Sequence, residues 1–96
     1  MATISSDVLA SYAADAAREV DGVRGFVEST LHRHKGVRVV ETDGGVRIEL
    51  HLAVEWGASI PEVGRAVQER VAAYLARMAS VEADAVDIVV DEIGPP

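Results

Sequence analysis

VRVVETDGGVRIELHLAVEW, residues 37–56, is the stretch that decides the fold. Asp43, Gly44 and Gly45 separate two apolar-rich runs, and Asp-Gly and Gly-Gly pairs supply the positive φ that a tight turn requires. After this turn, apolar residues alternate with mostly polar ones from Val46 to Trp56. A period of two over this length predicts a strand with one buried and one solvent-facing side. Trp56 is expected to be the last inward residue of that strand.

A helix is predicted on each side of this hairpin. From Ser6 to about Val20, apolar residues recur at steps of three and four, and the glycines of the following DGVRG segment favour helix termination. The second helix is expected to begin at residues 59–62, where Ser-Ile-Pro-Glu fits a capping box with proline in the first turn. Gly64 lies inside this helix and costs about 0.5–1 kcal/mol relative to alanine, so we expect it to permit close approach of another backbone.

The last run, AVDIVVDEI, alternates apolar with mostly acidic residues and predicts a third strand. The order helix, hairpin, helix, strand predicts an α+β fold. We expect a two-layer sandwich, with both helices on one face of a three-stranded mixed sheet. One domain is expected over residues 1–96. Residues 26–36, FVESTLHRHKG, fit a short strand, a helical turn or a loop, and the sequence leaves these alternatives open.

Charge is unevenly distributed along the chain. The formal net charge is −7, which argues against nucleic acid as the main partner because phosphate binding requires a positive field. Residues 24–38 nevertheless contain four basic residues and one acid, whereas residues 82–92 contain five acids and no base. This asymmetry favours head-to-tail association, although each charged run also fits a simple solvated face.

The sequence offers no candidate catalytic, cofactor-binding or metal-binding residues. Cysteine is absent, so thiolate catalysis, cysteine zinc sites and iron-sulfur ligation are excluded. His32 and His34 flank a cationic residue, which disfavours a metal ion, and His51 is expected on the wet side of its strand. The glycines form no phosphate-binding loop and the serines no nucleophile elbow. With no signal peptide and no long apolar run, a soluble protein without direct membrane insertion is expected.

Four stretches, in their order and spacing, carry a likeness to a known family: ISSDVLASYAADAAREVDGVRG, KGVRVVETDGGVRIELHLAVEWG, IPEVGRAVQERV and VDIVV. On these stretches the chain resembles the alkaline shock protein family, the small envelope-stress proteins of Gram-positive and related bacteria. The resemblance implies a non-enzymatic envelope stress response protein without cofactors. It also implies a cytoplasmic scaffold or adaptor that self-associates as a homo-oligomer and is held at the membrane by a small membrane-spanning partner. The alternatives are a small-ligand-binding domain and a nucleic-acid-binding domain of KH-like layout.

Three groups of residues are candidate partner contacts. The strand-to-helix corner supplies an exposed aromatic beside a helix start, although such a tryptophan more often closes the end of a core. The charged runs supply complementary ends, and the polar sheet face would carry a small apolar patch if Val40, Ala53 and Val89 align. The candidates are Arg33, Lys35, Arg38, Val40, Trp56, Pro61, Asp87, Val89 and Asp91.

Overall fold

The computed structural model describes residues 5–27 and 36–95. These residues form two helices and four strands, with three strands between the helices and one after the second helix, and the expected α+β class is confirmed. In chain order they are α1 (Ser6–Arg18), β1 (Val23–Phe26), β2 (Val37–Thr42), β3 (Gly45–Val54), α2 (Ile60–Ala79) and β4 (Ala85–Ile93).

The predicted hairpin is β2 and β3, and β3 is the centre of the sheet. Thr42 pairs with Gly45, so Asp43 and Gly44 form a two-residue loop, with Gly44 at a φ of +78°. Such a loop needs positive φ, which glycine adopts without steric cost. β4 runs parallel to β3 on its other side, from the Arg47 to Ala85 pair onward. The sheet is therefore mixed, as predicted.

The sheet contains one strand more than the three predicted. β1 pairs antiparallel with residues 52–54 of β3, whereas β2 pairs with residues 45–50, so both lie along the same side of the central strand. β1 spans four residues and its register shifts between Val23 and Gly25. A short, irregular strand gives no clear period-two signal, which is why the sequence indicated only a helix-terminating segment there.

The core lies between the helices and one face of the sheet. The inward side of β3 contributes Ile48, Leu50, Leu52 and Val54, all fully buried. Both helices pack against this side, since the same cluster contains the following helical residues: Leu9, Ala13, Ala16, Val67, Val71 and Leu75. Across the helix pair, the Tyr12 and Tyr74 rings meet edge to face, with centroids 5.8 Å apart.

Helix α2 begins where the sequence places it. The hydroxyl of Ser59 accepts a hydrogen bond from the Glu62 N–H at 3.4 Å, and Pro61 lies in the first turn. The helix ends at Ala79, and its C-cap residue Ser80 adopts a left-handed conformation with φ of 55°. Neither α1 nor α2 has the length and apolar character required to cross a bilayer.

Two expectations about this part of the chain are wrong. β3 ends at Val54, and Trp56 lies in the following turn with 63% of its surface exposed, so it is not the last inward residue of the strand. Gly64 does not accommodate another segment of the described chain, because a Cβ added there would meet nothing within 4 Å.

Candidate interaction surfaces

The solvent-facing side of the sheet carries paired charges of both signs. Register places residues 38, 49 and 87 side by side on three neighbouring strands. The Arg38 guanidinium lies 4.0 Å from a Glu49 carboxylate oxygen, and Arg47 Nη2 donates to Asp87 Oδ2 at 3.1 Å. Such exposed pairs contribute about 0–1 kcal/mol each, so they set the charge pattern of this face more than its stability.

His51 is the most enclosed ionisable group of this face. Its Nδ1 lies 2.5 Å from Asp91 Oδ2 and its Nε2 lies 2.6 Å from Glu49 Oε1. Partial burial lowers the pKa of His51, but hydrogen bonds to Glu49 and Asp91 and the charges of both carboxylates outweigh it, and the net pKa is raised above 6.5. In the imidazolium form, both ring N–H groups donate to carboxylates.

Of the candidate contacts on the sheet, Asp87, Val89 and Asp91 lie on β4 and Arg38 and Val40 on β2. Val40 pairs with Arg47 and Val89 with His51, on opposite sides of β3 and roughly 13 Å apart along it. Val40 and Val89 therefore do not join into the apolar patch that the sequence left conditional on strand alignment. Arg33 and Lys35 lie outside the described residues.

The outer edge of β4 is open. Among the described strands, β4 pairs only with β3, so the other side of residues 85–93 has no strand partner there. Val89 and Ile93 expose 37% and 48% of their surface on this strand. Beside it, a shallow groove is lined by Ile60 and Pro61 of α2 and by the apolar residues Ile88 and Val90 of β4.

A second and larger cleft lies on the opposite side of α2 from this groove, beside Trp56. It has a volume of about 760 Å³ and is bounded by the α1–β1 turn, the β3–α2 turn and one side of α2. Trp56 lines this cleft whereas Pro61 lines the β4 groove, so the two residues predicted as one contact site belong to different surfaces.

The described residues show no arrangement typical of a metal centre. No group of three or more His, Cys, Asp or Glu side chains within residues 5–27 and 36–95 is placed to hold a metal ion. Although His51 contacts two carboxylates, each contact uses a different ring nitrogen, and the carboxylates lie on opposite sides of the ring. This is a hydrogen-bonded, charge-paired histidine.

Sequence reasoning missed the His51 pair and the Trp56 cleft. It placed His51 correctly on the wet side of its strand, but the contact with Asp91 depends on the parallel register of β3 and β4. The cleft depends on the packing of two turns that are far apart in sequence. The one available signal for it was the single tryptophan directly before a helix start.

Comparison with known proteins agrees with this architecture. Two solved structures of MamM CTD share the fold, one with a single substitution (TM-score 0.66, 16% identity, 93% of this chain and 95% of that chain) and one without (0.64, 16%, 90% and 96%). At this identity the likeness concerns the fold alone.

Sequence comparison identifies relatives of higher identity and the family of the chain. It is 35% identical over 95 residues to the uncharacterized protein YqhY of Bacillus subtilis, covering 88% of this chain and 70% of the relative. It is 31% identical over 102 residues to the uncharacterized protein Spy1614 of Streptococcus pyogenes, covering 94% and 84%. Residues 1–95 match the model of the alkaline shock protein family, which is described as having a cell envelope-related function. The chain therefore belongs to the alkaline shock protein family.

Proposed function

We propose that this chain is a non-enzymatic scaffold or adaptor of the cell envelope stress response, which self-associates through the outer edge of β4. Family membership supports the envelope role. The open edge of β4 is the observation that supports self-association. In the proposal, a small membrane-spanning partner holds the cytoplasmic assembly at the membrane, as the resemblance to this family implies.

The β4 edge lacks two of the features that usually prevent edge-to-edge pairing, a short length and proline, although Glu92 is exposed on it and its register with β3 shifts between Leu52 and Ala53. Proteins commonly protect an open edge by keeping it short or by placing unpaired charges or proline on it. β4 has nine residues and contains no proline. Two of its three acids, Asp87 and Asp91, are engaged within the chain by Arg47 and His51, which reduces the repulsion they would exert on an approaching strand.

The apolar residues around this edge supply the remaining contact. Val89, which pairs with His51, projects on the solvent-facing side of β4. Ile93, which pairs with Val54, projects on the side of the helices, where Ile60 of α2 exposes 39% of its surface and lines the groove. Two copies related by a two-fold axis would pair the same β4 edge from each partner, with apolar residues on both faces of the joined sheet.

Intrachain pairing disfavours a purely electrostatic contact between the basic and acidic runs. Arg38 lies near Glu49, and Asp87 is paired with Arg47, so both runs have internal partners. We therefore expect assembly to persist at high salt. The double substitution R33E/K35E tests the electrostatic version directly, and loss of assembly in that variant would favour it.

The experiment is solution mass by light scattering on a sizing column, across protein concentration and at low and high salt. The variant V89K/I93K places two charges on the β4 edge. V8K/M78K is its matched control, since Val8 and Met78 are exposed to 40% and 48% on the helices. We expect mass above one chain for the wild type and control, and one chain for the edge variant. A wild type of single-chain mass at every concentration, or equal loss in both variants, would refute the β4 contact.

A further inference from the structure

Trp56 is exposed in a way that its packing in this chain does not explain. It is the single tryptophan of the sequence, and 63% of its surface remains open to solvent. Tryptophan carries a large apolar surface and is enriched at the centres of protein interfaces. Its position on the rim of the 760 Å³ cleft therefore points to a bound partner.

The cleft is held in shape by backbone contacts. The Glu55 N–H donates to the Gly22 carbonyl at 2.8 Å and ties together the two turns that bound one end. Gly22, with φ of +96°, packs so closely on Val63 that a Cβ there would lie 2.7 Å from the Val63 Cγ2 atom. The cleft is thus tightly packed at Gly22 and Val63, and its shape exists before any partner binds.

The cleft is elongated. One side of α2 lines it from Ser59 to Ala73, with residues recurring at steps of three and four. At 1.5 Å per residue this side is roughly 21 Å long, the span of about six residues of extended chain. Ala66 and Ala73 have short side chains, so at these two positions the helix surface projects little into the cleft. These dimensions fit a polypeptide segment better than a single small ion.

The rim is negatively charged. Among the described residues, five carboxylates and one guanidinium line the cleft, and that guanidinium, of Arg70, lies 3.4 Å from Glu19 and is thereby paired. The carboxylates belong to Glu19, Asp21, Glu55, Glu62 and Glu69. A cationic side chain near the Trp56 ring would also gain cation–π attraction.

We propose that the cleft beside Trp56 is a docking site for a basic polypeptide segment of a partner protein, one that carries both cationic and apolar side chains. Apolar groups of the segment pack on Val63, Ala66 and Trp56, and its cationic groups face the carboxylates of the rim. The site lies away from the β4 edge, so docking does not depend on self-association, and either proposal can fail alone.

The test is a titration of the full chain with a short lysine- and leucine-rich peptide that lacks tryptophan. Binding is monitored by Trp56 fluorescence and, separately, by calorimetry. An acidic peptide of the same length is the ligand control. The variant E55Q/E69Q removes two rim charges, and E41Q/D43N removes two charges at the exposed β2–β3 turn, so both alter net charge equally.

We expect the basic peptide to change Trp56 emission and to bind more weakly at high salt. E55Q/E69Q should raise the Kd about tenfold, and E41Q/D43N should leave it within about twofold. No binding at low salt, or equal weakening in the two variants, would overturn the proposal. If E55Q/E69Q instead lowers the solution mass of the protein alone, the occupant is a second copy of this chain, and the proposed partner is wrong.

Discussion

His51 on β3 and Asp91 on β4 are joined across the solvent-facing side of the sheet, with Nδ1 2.5 Å from Oδ2. The second ring nitrogen reaches Glu49, two positions earlier on β3. One imidazolium therefore links the central strand to the edge strand while compensating two carboxylates. The charge state of this histidine therefore affects both the free energy of unfolding and the net charge of the β4 edge.

The stability contributed by His51 should depend on pH. Its pKa in the folded chain is raised above the ordinary value of 6.5. A raised pKa gives stability that is fully present below the unfolded-state value and is lost as pH rises through the folded-state value. We expect the free energy of unfolding of H51Q to fall short of the wild type at about pH 5.5, with a smaller gap at about pH 8.5. Urea unfolding at both pH values measures this, and a pH-independent gap would contradict it.

Trp56 should report an exposed site and contribute little to folding. With 63% of its surface open, its fluorescence in the free protein should be red-shifted and readily quenched by acrylamide, a neutral quencher that the carboxylates of the rim do not repel. W56A should change the free energy of unfolding by less than about 1 kcal/mol. L50A, which truncates a fully buried residue of β3, should cost about 2–5 kcal/mol in the same denaturation experiment. A Trp56 shielded from quencher would contradict the cleft as described.

Glycines at two positions should respond oppositely to alanine. G64A should stabilise the protein by about 0.5–1 kcal/mol, because a Cβ there meets nothing within 4 Å and alanine is the better helix former. G22A should destabilise it, since Gly22 has positive φ and its added Cβ would press on Val63. Thermal unfolding of both variants gives the comparison. Destabilisation by G64A would show that this position is packed against something in solution.

Local chemistry determined what the sequence could predict. The Asp-Gly turn and the long alternation after it predicted β2 and β3, and Ser59 with Pro61 predicted the start of α2, because turn and cap preferences act over a few residues. β1 was missed because four irregular residues carry no period. The burial of Trp56 was predicted wrongly because alternation continues past Val54, where strand pairing has already ended.

The candidate surfaces were predictable only in part. Asp87, Val89 and Asp91 were named from charge and alternation, and all three lie on the edge strand. That they lie on an edge follows from strand order, which no short-range pattern encodes. The pairing of Asp91 with His51 likewise joins residues 40 positions apart. Contacts of this kind depend on register, and one sequence does not specify the register of a parallel pair.

Self-association through the β4 edge should weaken as pH rises through the raised pKa of His51. Below it, the imidazolium compensates Asp91, so two β4 edges can approach with little repulsion between their acids. Above it, Asp91 loses its cationic partner, while Asp87 keeps Arg47, so each edge gains negative charge. Like charges brought together across an interface oppose association. Light scattering at one protein concentration across this pH range should show the wild-type mass falling.

The H51Q variant separates this effect from other titrations. It retains His32 and His34 but lacks the imidazolium, so its mass should be low and nearly independent of pH over the same range. R47Q is the counterpart: it leaves Asp87 without its guanidinium at every pH and should lower the mass uniformly while preserving the pH dependence that arises from His51. If the wild type and H51Q instead lose mass in parallel, the titrating group lies elsewhere, and the β4 edge does not respond to His51.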